Sequence, residues 1–181
     1  LTEQILTEYI GMNLSYAPRL WNVSTAEDAM LMLEKRSFDL IIIMLRISDM
    51  NPIRLSKKIK KLYPDKPILL LVFDETELTL LPQNYLNTID NVFMWSGNSN
   101  VFPAIIKYIE DKVNVDRDTK KGDVRSIILV EDTPRYYSSI LPIIYKIIVY
   151  HTRQLINKSL NDTQKLLHLR KRPKILLAQN Y

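Results

Sequence analysis

The stretch Phe38-Asp39-Leu40-Ile41-Ile42-Ile43-Met44-Leu45-Arg46-Ile47-Ser48-Asp49-Met50-Asn51-Pro52 decides how this chain is read. After Asp39 its first half is an unbroken apolar run, which is what a parallel strand covered on both faces requires. The polar residues that follow form a loop, and Pro52 then opens a helix at the position where a missing N–H costs nothing. A buried strand, a short loop and a helix are the opening of a βαβ unit.

Working outward, residues 2–14 place Ile5, Leu6, Tyr9, Ile10 and Leu14 at near-helical spacing, and Arg19–Ser24 reads as a short strand around Leu20 and Val23. Ser24 or Thr25 caps the next helix, with Glu27 and Asp28 in its first turn and Ala29, Met30, Leu33 and Met32 as its buried stripe. Beyond the central stretch, a helix from Pro52 to Leu62 turns Ile53, Leu55, Ile59 and Leu62 inward, leaving Lys57, Lys58, Lys60 and Lys61 as a solvated face. Pro67–Phe73 and Asn91–Trp95 are further apolar strands, separated by a weaker helix over 75–86 that Pro82 breaks. Asn100–Val113 is amphipathic, with Phe102, Ile105, Ile106 and Ile109 inward. Alternating strands and helices predict a parallel sheet with helices on both sides.

Residues 114–125 are charged and contain Gly122, so they read as a linker. Ser126–Val130 is expected to be a buried strand, followed by Glu131 and Asp132. One long helical pattern then runs from Pro134 to Leu169, with a kink expected at Pro142. Arg170, Lys171, Arg172 and Pro173 end it, and Lys174–Ala178 opens another strand.

The composition narrows the chemistry. The 181 residues include no cysteine, which removes disulfides and thiolate chemistry and fits a cytoplasmic, reducing setting. No signal peptide is visible at the start, and no apolar run nears the roughly 20 residues of a membrane span. Three glycines cannot build a phosphate-cradling loop. His151 and His168 are the only histidines, and neither has an acidic or histidine partner one turn away, so packing or surface roles are expected. Charge is uneven: residues 1–113 hold 12 Lys/Arg against 14 Asp/Glu, and residues 114–181 hold 13 against 6. The basic helix could contact nucleic acid, but its cations are interleaved with a broad apolar stripe and with Tyr136, Tyr137, Tyr145 and Tyr150. Helix packing, including pairing of two copies through 134–169, is the stronger expectation.

The order of elements over 1–113, together with the Phe38–Pro52 stretch, resembles the receiver domain of two-component response regulators. That resemblance implies a flavodoxin-like, doubly wound parallel sheet. It also implies that the phospho-acceptor aspartate at the end of the third strand is replaced here by Met44. The hydroxyl residue of the fourth strand falls on Val72, and the lysine of the fifth on Trp95. A thioether, an isopropyl group and an indole can neither attack phosphorus nor read a phosphoryl group. The first unit is therefore expected to be a pseudo-receiver that cannot be phosphorylated and needs no cofactor. It would present its last helix–strand face constitutively. A receiver's first, central strand is missing from it and is expected upstream.

Ile127–Pro134 (IILVEDTP) is similar to a receiver's opening. The resemblance implies a second receiver over 126–181, with an extended first helix, in which Glu131 and Asp132 hold Mg2+ together with an acceptor beyond Tyr181. Left to the residues alone, the acidic pair can equally cap the helix that follows. The expected function is non-catalytic signal transduction through protein partners such as a histidine kinase or an output domain. The long helix is similar to one in proteins that fuse tandem receivers to phosphoenolpyruvate synthase-like domains, so a regulatory region of such a phosphotransfer enzyme is the alternative. A basic nucleic-acid module is the weakest reading.

Overall fold

The computed structural model describes residues 2–11, 18–82, 85–122, 124–156 and 172–179. The chain is α/β, and its strands lie in two small parallel sheets. Its contacts divide it into two units: residues 19–98, and residues 3–18 together with 99–181.

The first unit holds helix α2 (Ala26–Lys35), strand β1 (Ile41–Met44), α3 (Pro52–Leu62), β2 (Ile68–Val72), the short α4 (Glu75–Thr79), a 3-10 turn at Tyr85–Asn87, and β3 (Asn91–Met94). Its sheet has the order β1-β2-β3, with Ile43 opposite Leu70 and Leu70 opposite Val92. Every residue of β2 is buried, as a central strand between two neighbours and two layers must be. The core is built from Ile43, Ile53, Ile59, Ile68, Leu70, Val72 and Val92, with Ala26 and Leu33 of α2.

The helix ends follow local chemistry. Thr25 caps α2 by accepting the Asp28 N–H, and Asn51 caps α3 by accepting from Ile53 and Arg54, directly before Pro52. The expected lysine face of α3 is only partly solvated. Lys60 lies against Asp90 at 2.8 Å and donates to the Lys66 carbonyl, whereas Lys57, Lys58 and Lys61 are exposed. Leu62, expected inward, is exposed at the last turn.

Residues 19–24 are not a strand. A strand needs a neighbour, and β1 pairs with β2 alone among the described residues, so nothing is placed to hold one. Instead this segment is largely exposed, and Trp21 is covered by the Arg36 guanidinium 4.2 Å above its ring. The helix expected over 75–86 closes after Thr79, and its polypeptide continues as a turn around Pro82.

The second unit contains α1 (Thr2–Gly11, from Glu3 on), α5 (Val101–Gly122), β4 (Ser126–Val130), α6 (Pro134–Ile156) and β5 (Lys174–Ala178). Residues 114–122, expected to be linker, are the second half of α5. No Gly or Pro interrupts Ala104–Lys121, and opposite charges recur at helical spacing, as in the Lys120–Asp116 pair at 3.9 Å. Asn114 and Thr119 also bond back to the carbonyls of Glu110 and Val115. The contacts accordingly divide the chain near 18 and 98, not near 114.

β4 and β5 pair in parallel over five positions, Ser126 opposite Lys174 through Val130 opposite Ala178. β4 was expected to be buried and is not: Ile128 is 64% exposed, and Ile127 and Val130 are exposed too. β4 has one strand neighbour among the described residues, so its apolar sequence alone does not bury it. α6 contains Pro142 and begins at Pro134 as expected. The remainder of the expected helix, 157–169, with His168, lies outside the described residues. No described helix is long and apolar enough to cross a membrane.

Candidate functional site at the carboxyl ends of the strands

In parallel α/β sheets the loops that leave the carboxyl ends of the strands form the usual place for chemistry. In the first unit, Met44 ends β1, Val72 ends β2, and Trp95 directly follows β3. The register makes them neighbours. Met44 stands opposite Leu71, Val72 stands opposite Met94, and the Trp95 N–H donates to the Val72 carbonyl at 2.8 Å. The three positions singled out in the sequence therefore lie side by side at one end of one sheet. Val72 is fully buried, while Met44 and Trp95 are partly exposed. The Trp95 ring packs on Phe73 with centroids 5.5 Å apart. This end of the sheet is apolar where a phosphoryl site would need charge.

Carboxylates do stand nearby, but each is committed to the backbone. Asp49, in the loop after β1, accepts from the N–H groups of Ala26 at 2.8 Å and Glu27 at 3.1 Å, the first turn of α2. The Ala26 hydrogen bond holds the Asp49 carboxyl below its ordinary range; desolvation opposes it, and the Glu27 hydrogen bond and the charge of Lys58 add to the lowering. Asp74, after β2, caps α4 by accepting the Glu77 N–H at 2.9 Å. Glu77 is buried and accepts the Phe73 N–H at 2.7 Å, with the exposed Arg46 3.7 Å away. These carboxylates brace the loops through hydrogen bonds to the backbone.

Glu131 and Asp132 stand at the matching end of β4. The Glu131 N–H donates to the Ala178 carbonyl at 3.1 Å, and its side chain accepts the Thr133 N–H at 2.9 Å, where α6 begins. The Thr133 hydroxyl lies 3.3 Å from the exposed Asp132 carboxylate. Capping thus occupies one oxygen of Glu131. Among the described residues no group of three or more His, Cys, Asp or Glu side chains could hold a metal ion. As described, the pair does not by itself fit a Mg2+ site, which needs more oxygen ligands.

The second unit also contains a polar centre that the sequence reading missed. Asp111, on the inward face of α5, is fully buried. Its carboxylate accepts from both terminal nitrogens of Arg172 at 2.6 and 2.9 Å, from the Tyr145 hydroxyl at 3.1 Å and from the Ile175 N–H at 2.9 Å. Lys174 stands 3.8 Å from Asp111 and 2.9 Å from Asp118. Burial raises the Tyr145 phenol, and the Asp111 charge raises it further, so it stays protonated as the donor. Burial disfavours the Arg172 charge, but the hydrogen bonding and charge of Asp111, together with Tyr145 and Glu110, outweigh it and leave the guanidinium above its ordinary value. By holding Tyr145 of α6, Arg172 just before β5 and Ile175 of β5, Asp111 ties α5, α6 and β5 together. A sequence signal existed: Asp111 follows Tyr108 by three and Ala104 by seven, which puts an acid on the apolar stripe.

His151, the one described histidine, is exposed and stands edge-on to Tyr150. No protein-family model matches this chain, and no curated protein matches it.

Proposed function

We propose that this chain is a non-catalytic regulatory module of the receiver type, working in the cytoplasm through protein partners. In this reading residues 19–98 carry the middle and end of a flavodoxin-like, doubly wound receiver whose switch has lost its chemistry. The observation that carries the reading is the adjacency of Met44, Val72 and Trp95 at three neighbouring strand ends. Those are the places where the family sets a nucleophilic carboxylate, a hydroxyl and an ammonium group. Asp49, the one carboxylate in the loop after β1, is held by two N–H donors of α2 and is a poor substitute nucleophile.

A module of this kind would present its last helix–strand face constitutively, since phosphorylation of the switch cannot change it. Its partners would be a histidine kinase or an output domain. Residues 126–181 would be the start of a second receiver, where Mg2+ binding by Glu131 and Asp132 needs a further oxygen ligand. Intact mass after incubation with acetyl phosphate and Mg2+ tests the reading. The mass is expected to stay unchanged; a gain of one phosphoryl group mapped to residues 19–98 overturns it.

A further inference from the structure

Helix α6 has two apolar faces, and only one of them is covered. Tyr137, Leu141, Tyr145 and Val149, each four residues after the last, are buried. The Tyr145 bond to Asp111 shows that this face meets α5. On the opposite side lie Tyr136, Ile140, Ile143, Ile147 and Tyr150, at alternating spacings of four and three. Tyr136, Ile143, Ile147 and Tyr150 are between 51% and 60% exposed, and Ile140 is partly exposed. At about 100° per residue these five positions fall within a stripe about 80° wide.

We propose that this outer face of α6 docks an acidic amphipathic helix of a partner protein. Single exposed apolar residues are ordinary on a surface, but five on one narrow line are not. Spacing by alternate fours and threes is the seam along which helices pair, each residue entering a gap in the facing helix. The stripe is also narrower than the face a helix turns to a core.

Charge selects the occupant. Arg135 and Lys146 line one flank of the stripe and His151 borders the other, all exposed. No Asp or Glu occurs from Thr133 to Asn161. A second copy of α6 would match the apolar seam but would bring only more cations to its flanks, where like charges disfavour pairing. An acidic helix answers both features. A bilayer suits the face less well, because interfacial helices bury a broad apolar side and keep the other in water, whereas the other side of α6 is protein core.

This surface belongs to the second unit and does not depend on the strand-end reading, so the phosphorylation assay and the binding assay fail separately. The test is fluorescence anisotropy of the whole chain with a labelled three-heptad peptide carrying Leu at its seam and Glu at its flanks. The control peptide has Lys at the flanks. The Glu peptide is expected to bind at least about tenfold more tightly than the Lys peptide, with the difference shrinking as salt is raised.

The double variant Ile143→Asp/Ile147→Asp changes only exposed positions, so its circular dichroism should match the parent while binding of the Glu peptide falls at least about tenfold. Lys146→Glu should narrow the preference between the two peptides. The proposal is overturned if the two peptides bind alike, or if neither binds at about 1 mM. It is equally overturned if the double variant binds as the parent does. A parent dimer seen by sedimentation that the double variant abolishes, without peptide binding, makes the occupant a second copy. Capture by phosphatidylcholine vesicles containing phosphatidylserine, again without peptide binding, makes it a membrane.

Discussion

β2 and β4 are nearly the same sequence in opposite surroundings. β2 is Ile-Leu-Leu-Leu-Val and β4 is Ser-Ile-Ile-Leu-Val, both five residues and both paired in parallel. β2 lies between two strands and is buried throughout, whereas β4 has one strand neighbour among the described residues and Ile128 stands 64% exposed. The contrast extends to what stabilises each unit. Residues 19–98 rest on an apolar cluster around β2, and the second unit adds a buried ionic centre at Asp111. An apolar run shows that a strand can be buried, and the number of its neighbours decides whether it is.

The largest effect expected from breaking either side is at Asp111. Asp111→Ala leaves Arg172 buried without its counter-charge, while Lys174 keeps Asp118, and should cost about 3–5 kcal/mol in chemical denaturation. A loss under about 1 kcal/mol would mean that the cluster contributes little to that unit.

Next comes the strand comparison itself. Leu70→Ala in β2 removes a fully buried side chain and should cost about 2–5 kcal/mol, while Ile128→Ala in β4 should stay within about 0.5 kcal/mol. Equal losses would show that β4 is covered in solution.

The smallest effect is electrostatic. The Asp49 carboxyl is held below its ordinary range by the α2 N–H groups, so it stabilises the fold above the unfolded value near 3.9. That contribution disappears as pH falls through the lower folded value. Asp49→Asn should therefore flatten the acid limb of a stability–pH profile and leave its slope near neutrality unchanged. An unaltered acid limb would mean that the carboxylate does not cap α2.

Much of the fold was legible because local signals agreed with long-range ones. The apolar runs at 41–44, 68–72, 91–94, 126–130 and 174–178 are all strands, and Asn51-Pro52 and Thr133-Pro134 both open helices. Where the two kinds of signal separate, the sequence reading failed. Arg19–Ser24 alternates like a strand but has no strand to pair with among the described residues, and residues 114–121 are charged like a linker but contain no Gly or Pro. The Asp111 centre was hidden for a different reason. Its cationic partners are 61 and 63 residues away along the chain, where the basic stretch reads only as the end of a helix and the start of a strand. That Met44, Val72 and Trp95 lie at strand ends was legible from the apolar runs, their part in a switch coming only from the family resemblance. The use of Asp49 as a cap for α2 was not, because it joins residues 22 and 23 apart.

The account rests on the claim that the strand ends of residues 19–98 are chemically silent. Backbone amide spectra recorded while Mg2+ and beryllofluoride, a phosphoryl mimic, are added together read that claim residue by residue. The account predicts no saturable shift at Met44, Asp49, Val72 or Trp95. Saturable shifts converging on those four amides would contradict it and make the end of this sheet a working phosphoryl site.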